Sequence, residues 1–232
     1  VYTYARTDSN PTATFEFNVS LVLLPETPMV ARYEDPRVGY FIERYVDFDK
    51  NPQGVESVRM ISRWRLEPKP EDIEKYKRGE LVEPAKPIVF YIDPATPKQW
   101  VPYLIAGVND WQSVFEKAGF KNAIYALEAP TFEQDSTWSL DDARHSAIVY
   151  KPSDVANAMG PHISDPRSGE IIESHICWYH NVMSLLRNWY FIQASPADTA
   201  ARHLTFDPEL MGQLVRFVSS HEVGHTLGLR HN

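Results

Sequence analysis

A single cysteine in 232 residues removes two architectures at once. Cys177 has no partner for an internal disulfide, and a structural zinc site built on several cysteines cannot be assembled from this chain. Its expected role is that of a small buried hydrophobe. No run of 18 apolar residues occurs, so no transmembrane helix is predicted in this chain. There is also no cluster of basic residues. The 23 Lys and Arg are spread among 31 Asp and Glu, for a net charge of −8, and nucleic acid is not an expected partner. Internal repeats and low-complexity segments are missing as well. With 43% hydrophobic and 23% charged residues, the composition is that of an ordinary globular protein. The chain begins at Val1 without an initiator methionine and reads as an excerpt of a longer protein, so missing targeting signals exclude nothing.

Along the chain, residues 13–24 (ATFEFNVSLVLL), 38–48 (VGYFIERYVDF) and 57–66 (SVRMISRWRL) read as strands, being rich in aromatic and β-branched residues. They define a β-rich lead-in region, residues 1–66, in which nothing suggests chemistry. Asn18-Val19-Ser20 matches a glycosylation sequon, read as coincidence because it falls inside a predicted strand. Residues 67–86 are charged and punctuated by proline. They read as a linker with a short exposed helix and a solvated face of alternating charge.

From residue 87 the pattern changes. PIVFYID, residues 87–93, suits a buried strand. Thr96-Pro97-Lys98-Gln99 has the form of a capping box opening a helix that carries Trp100, Leu104, Ile105, Val108, Trp111 and Phe115 on one side up to Gly119. Pro102 implies a kink or a later start. Residues 122–129 and 144–151 are further strands. Residues 155–182 read as a hairpin turning at Asp165–Gly169, whose first arm, 156–163, holds Gly160 and Pro161, marks of an edge strand. Such an edge offers free backbone groups to an extended peptide, and it is expected to form the upper wall of a cleft. The sum is an α+β fold: a twisted mixed sheet with an edge strand, a long backing helix and a final helix.

That final helix is capped by Asp207, opens at Pro208 and has Glu209 in its first turn. Leu210, Leu214, Phe217, Val218 and His221 run down one connected face, which predicts that its last residues extend a buried stripe. The chain then ends in HEVGHTLGLRHN, residues 221–232. His221 and His225, four apart, lie on one helical face and can direct two imidazoles at one point. Glu222 lies about 100° round the helix, suited to handling a proton rather than joining the ligands. Gly228 can adopt the left-handed conformation that ends a helix sharply, so that the chain swings back and delivers His231 as a third nitrogen ligand. Three protein ligands with one open position describe a catalytic zinc site. The chemistry expected there is hydrolysis, zinc activating a water and Glu222 carrying its proton to the leaving group. A bare H-E-x-x-H arises by chance in roughly one such composition in fifty; the spaced glycine and third histidine lower this to roughly a few in a hundred thousand. The remaining histidines, His145, His162, His175, His180 and His203, lack ligand spacing and read as structural or surface residues. His175 and His180, five apart, would lie on opposite faces of a strand.

The run His221, Glu222, His225, Gly228 and His231 is similar to the metzincin zinc signature, and the preceding order of elements resembles the N-terminal half of a metzincin catalytic domain. Residues 106–124, AGVNDWQSVFEKAGFKNAI, and the closing SSHEVGHTLGLRHN resemble large bacterial zinc metalloproteases that carry domains of unknown function around a metzincin-like core. The resemblance covers residues 87–232, and the earlier part only through similar lead-in strands. It implies a truncated metzincin-like N-terminal subdomain over 87–232, with His221, His225 and His231 as ligands of Zn2+ and Glu222 as general base and acid. It further implies a polypeptide substrate and an extracytoplasmic location, whether periplasmic, cell-surface or secreted. Metzincins also have a methionine turn beneath the zinc and a C-terminal subdomain forming the other cleft wall. Neither is within these residues, and that missing subdomain of the same protein is an expected partner. The leading reading is a zinc endopeptidase. The alternatives are a zinc amidase or exopeptidase on the same site, or a surface binding module that keeps zinc without turnover, against which an intact Glu222 argues.

Overall fold

The computed structural model describes residues 18–231 together with the backbone of two short strands near the start. In chain order these are β1 (Tyr2–Tyr4) and β2 (Ala13–Phe15), then β3 (Ile42–Asp47), β4 (Glu56–Ile61), α1 (Ile73–Lys77), β5 (Ile88–Ile92), α2 (Val101–Asn109), α3 (Gln112–Lys117) and β6 (Ile124–Glu128). There follow β7 (Ser146–Lys151), β8 (Ala158–Met159), β9 (Ile163–Asp165), β10 (Glu170–Glu173), β11 (His175–Tyr179), α4 (Val182–Ala194) and α5 (Pro208–Thr226). No helix among the described residues is long and apolar enough to cross a membrane.

A five-stranded mixed sheet in the order β6-β5-β7-β11-β8 carries the core. Its first four strands are parallel, and β8 closes the edge antiparallel to β11, pairing Met159 with Cys177 and Ala158 with Trp178. Buried and half-buried residues alternate along β5 and β11, so one face of the sheet is enclosed and the other only partly covered. Phe90, Ile148, Ile176 and Trp178 are fully buried, and they meet Leu104 and Val108 of α2 and Val215 and Val223 of α5 in one cluster. Cys177 points to the other face of β11, half-buried rather than enclosed, because side chains alternate along a strand.

α2 begins at Val101 with Pro102 in its first turn, so the later start holds and the Thr96 capping box does not form; the Thr96 hydroxyl is buried without a hydrogen-bond partner among the described residues. The helix breaks once, at Asp110–Trp111, before α3. α2 and α5 pack closely because small residues face each other. A Cβ on Gly107 would come within 2.5 Å of the Ser219 Cβ, while the Ser219 hydroxyl donates to the Leu104 carbonyl at 2.9 Å. Arg216 forms a bidentate pair with Asp110, Nε to Oδ2 at 2.9 Å, and the Trp111 indole donates to the Ser220 carbonyl at 2.9 Å. α5 is thereby fixed along much of its length.

The lead-in region differs from its expectation. Of the strand expected over 13–24, residues 13–15 form β2, residues 16–17 lie outside the described residues, and 18–24 have no regular structure. Asn18 of the sequon is exposed and donates to the Asp141 carbonyl at 3.2 Å, so a strand is not what surrounds it. β3 and β4 form an antiparallel hairpin, and the chain beyond β4 is sewn to β10: Arg63 N–H to Gly169 O at 2.9 Å, Ile171 N–H to Arg63 O at 2.9 Å, and Arg65 paired with the mostly buried Glu170. Residues 67–86 include α1, which is exposed as expected, yet Val82 is buried against Phe120 and Ala123 in a small second cluster with Tyr76 stacked on Phe120.

Candidate metal centre

Asp207 accepts from the Glu209 N–H at 2.9 Å and Pro208 opens α5, as the sequence indicates. The buried face of the helix is only partly the one expected, with Val218 buried and Leu214 packed against the core. Gly212, Val215, Val218, Ser219, Glu222, Val223, Gly224 and Thr226 are buried, whereas Phe217 is 63% exposed and His221 faces the cleft. The physical reason is the close approach of α2, which selects small residues at the contact and leaves the larger apolar side chains on the opposite edge. The candidate ligand histidines therefore stand at the border of the packed face, and it is Glu222 that is enclosed.

The helix ends in a full Schellman motif. Leu229 N–H donates to Gly224 O at 3.1 Å and Gly228 N–H to His225 O at 3.0 Å, with Gly228 at φ +96°. A side chain at 228 would also lie 2.1 Å from the Ser62 carbonyl oxygen, so glycine is required twice over. The turn returns His231 to the helix. Its Nε2 sits 3.0 Å from that of His221 and 3.1 Å from that of His225, and the three rings have centroids 4.7 to 5.0 Å apart.

Hydrogen bonding among the imidazoles cannot satisfy this arrangement. His225 Nδ1 lies 2.8 Å from the Leu229 carbonyl, which requires the proton on Nδ1 and leaves Nε2 as a bare lone pair. One N–H on His231 could serve a single neighbour, not both. A cation at the centre satisfies all three, and nitrogens bound at about 2.0–2.1 Å in tetrahedral zinc lie about 3.3 Å apart, close to the spacing found. The donor set thus fits zinc, with the Leu229 carbonyl in the orienting role that ligand histidines usually have. Burial, and secondarily the two neighbouring imidazoles, hold His221 below its ordinary pKa, in the neutral form that ligation needs.

Glu222 is 6% exposed, and its Oε2 has no hydrogen-bond partner among the described residues. Burial raises its pKa above the ordinary carboxylate value, opposed by His225 and by the backbone N–H of Gly160. Gly160 follows β8, and it lines, with Met159, Phe41, Trp189 and Phe217, a cleft of about 540 Å3 that contains all three histidines and Glu222. The edge strand and the histidine cluster thus share one cavity.

The other histidines stay apart. His175 Nε2 contacts the His145 carbonyl at 3.0 Å, His180 Nδ1 meets the Tyr150 hydroxyl at 2.5 Å just beyond β11, and His203 lies exposed after a 3-10 turn. His162 is half-buried, which lowers its pKa, and its ring packs 5.6 Å from that of Phe41. Phe41 was invisible to motif reasoning: it lies in the lead-in region, lines the cleft and meets the His225 ring edge-on at 5.9 Å.

Two family models match the chain. Residues 203–232 match the one described as Met-zincin, and residues 1–69 match a domain of unknown function, DUF5117. Over α5 and its ligand turn the chain is therefore similar to Met-zincin, which supports a metzincin-like site of zinc metalloprotease type at that coarse level. No curated protein and no solved structure matches the chain.

Proposed function

We propose that this protein is a zinc-dependent endopeptidase with Glu222 as its proton-transfer group. One observation carries the reading: three imidazole nitrogens converge beside a buried carboxylate whose Oε2 has no hydrogen-bond partner among the described residues. His221, His225 and His231 would hold the ion, which supplies Lewis-acid polarisation of a scissile carbonyl and acidification of water when bound. Glu222 accepts a proton from the attacking water and delivers it to the departing amine. Its raised pKa, caused first by burial, brings it nearer the operating range of a base that must also act as an acid. His225 and, after it, the Gly160 N–H oppose that rise. An extended peptide along the free edge of β8 would cross directly above this pair, its backbone held by the strand rather than by particular side chains.

The test is cleavage of an unfolded protein by wild type and by Glu222→Ala, each with and without a chelator. Internal cuts that vanish on chelation and return with zinc are expected. The variant should keep its zinc and lose most of its rate. Removal of terminal residues alone would favour the exopeptidase reading, and full activity in the variant would end the proposed mechanism.

A further inference from the structure

α5 stops where its ligands begin to matter, and the last four carbonyls of any helix lack helical partners. The Schellman turn takes the Gly224 and His225 carbonyls, and the Val223 carbonyl accepts from the Leu227 N–H at 3.0 Å. The Thr226 carbonyl is left over. It is taken by the Trp64 indole N–H at 2.8 Å, from a side chain packed against the main core. Beyond the turn, residues 228–230 pair antiparallel with residues 39–41: Phe41 N–H donates to Gly228 O at 2.7 Å and Arg230 N–H to Gly39 O at 2.9 Å, around a bridge between Tyr40 and Leu229. Phe41 is anchored on its other side, its carbonyl accepting from the Ser62 N–H at 2.8 Å. The side-chain hydrogen-bonding contacts of His231 among the described residues are with the other two imidazoles. Its place is therefore set by the backbone just before it, and that backbone is held from the first 69 residues.

We propose that Phe41 and Trp64, from the region matched by the domain of unknown function, are positioning residues of the metal centre. They fix the ligand turn so that His231 meets the pair on α5, and the Phe41 ring sets the tilt of His225. This rests on the metal-centre reading and gives the lead-in region a task that neither family model assigns. Groups that orient ligands without touching the metal typically change affinity by about 10- to 100-fold.

The experiment compares the intact protein with Trp64→Phe, which keeps the ring and loses the donor, and Phe41→Leu, which keeps bulk and loses the ring edge. Zinc affinity is read by competition with a chromophoric chelator, the apoprotein by its melting midpoint, and ligand geometry by the visible spectrum of the cobalt-substituted form. Both variants should bind zinc roughly tenfold or more weakly, with an altered cobalt spectrum and an apoprotein midpoint close to wild type. Affinities within about twofold of wild type would overturn the proposal. So would a fall in apoprotein stability large enough to account for the lost affinity, since the two residues would then serve the fold alone. A wild-type protein that binds no zinc would overturn the metal-centre reading itself.

Discussion

The three histidines proposed to hold the metal are not equivalent. His225 is half-buried and its tautomer is fixed by the Leu229 carbonyl, while His221 and His231 are exposed to the cleft. Glu222 is the reverse, enclosed and, among the described residues, unpaired at Oε2. A buried carboxyl without full hydrogen bonding costs stability and is retained where chemistry needs it. Glu222→Gln should therefore lower peptide hydrolysis by about 10²- to 10⁴-fold and leave zinc content unchanged. Its melting midpoint at neutral pH should rise, because the raised pKa of Glu222 means that its ionised form weighs against the folded state. Gly228 is the second sensitive position. Alanine there meets a left-handed backbone and the Ser62 carbonyl. It should cost about 1–2 kcal/mol in backbone terms, and chelator competition should show a larger loss of zinc affinity as His231 is displaced.

Elements transmit these demands. α5 is held by α2 through a contact of small residues, so Gly107→Val forces a branched side chain against Ser219 and the Arg216 carbonyl. Denaturant unfolding should show a loss of about 1–3 kcal/mol or more, and residual zinc affinity should fall as α5 shifts. The β9–β10 hairpin is held differently. The Asp165 side chain is enclosed at the turn, accepting from Arg167 Nε at 3.0 Å and from the Arg167 backbone N–H at 2.9 Å. The Arg167 guanidinium holds Asp165 below its ordinary value of 3.8. A depressed folded pKa contributes stability that is complete above the ordinary value and lost as pH falls through the lowered one. Asp165→Asn should therefore melt below wild type at neutral pH, with the two midpoints converging on acidification below pH 3.8.

At the scale of the whole molecule, the proposed metal centre would join residues far apart in the sequence. Zinc should then stabilise the entire fold by mass action, by about 4 kcal/mol at a thousandfold excess over its dissociation constant. For a chain of this size that is a rise in melting midpoint of about 10 °C, abolished by chelation and by His231→Ala. Scanning calorimetry on metal-free and zinc-loaded protein measures it directly. A rise confined to a separate, C-terminal transition would show that the lead-in region is not coupled to the site.

The sequence by itself determined what depends on local spacing: the histidines four apart on a helix, the capped start of α5, the glycine that ends it, and the apolar runs that became β5, β6 and β7. These are legible because helix period, cap chemistry and left-handed turns are decided within a few residues. Tertiary structure decided the rest. Which face of α5 is buried follows from how closely α2 approaches, not from where the largest apolar side chains fall. Glu222 is approached by Gly160, just past β8, and the partners of the ligand turn, Phe41 and Trp64, stand more than 160 residues before it. Backbone pairing across such a distance leaves no periodic trace in sequence, since any residue with an N–H and a carbonyl can form it.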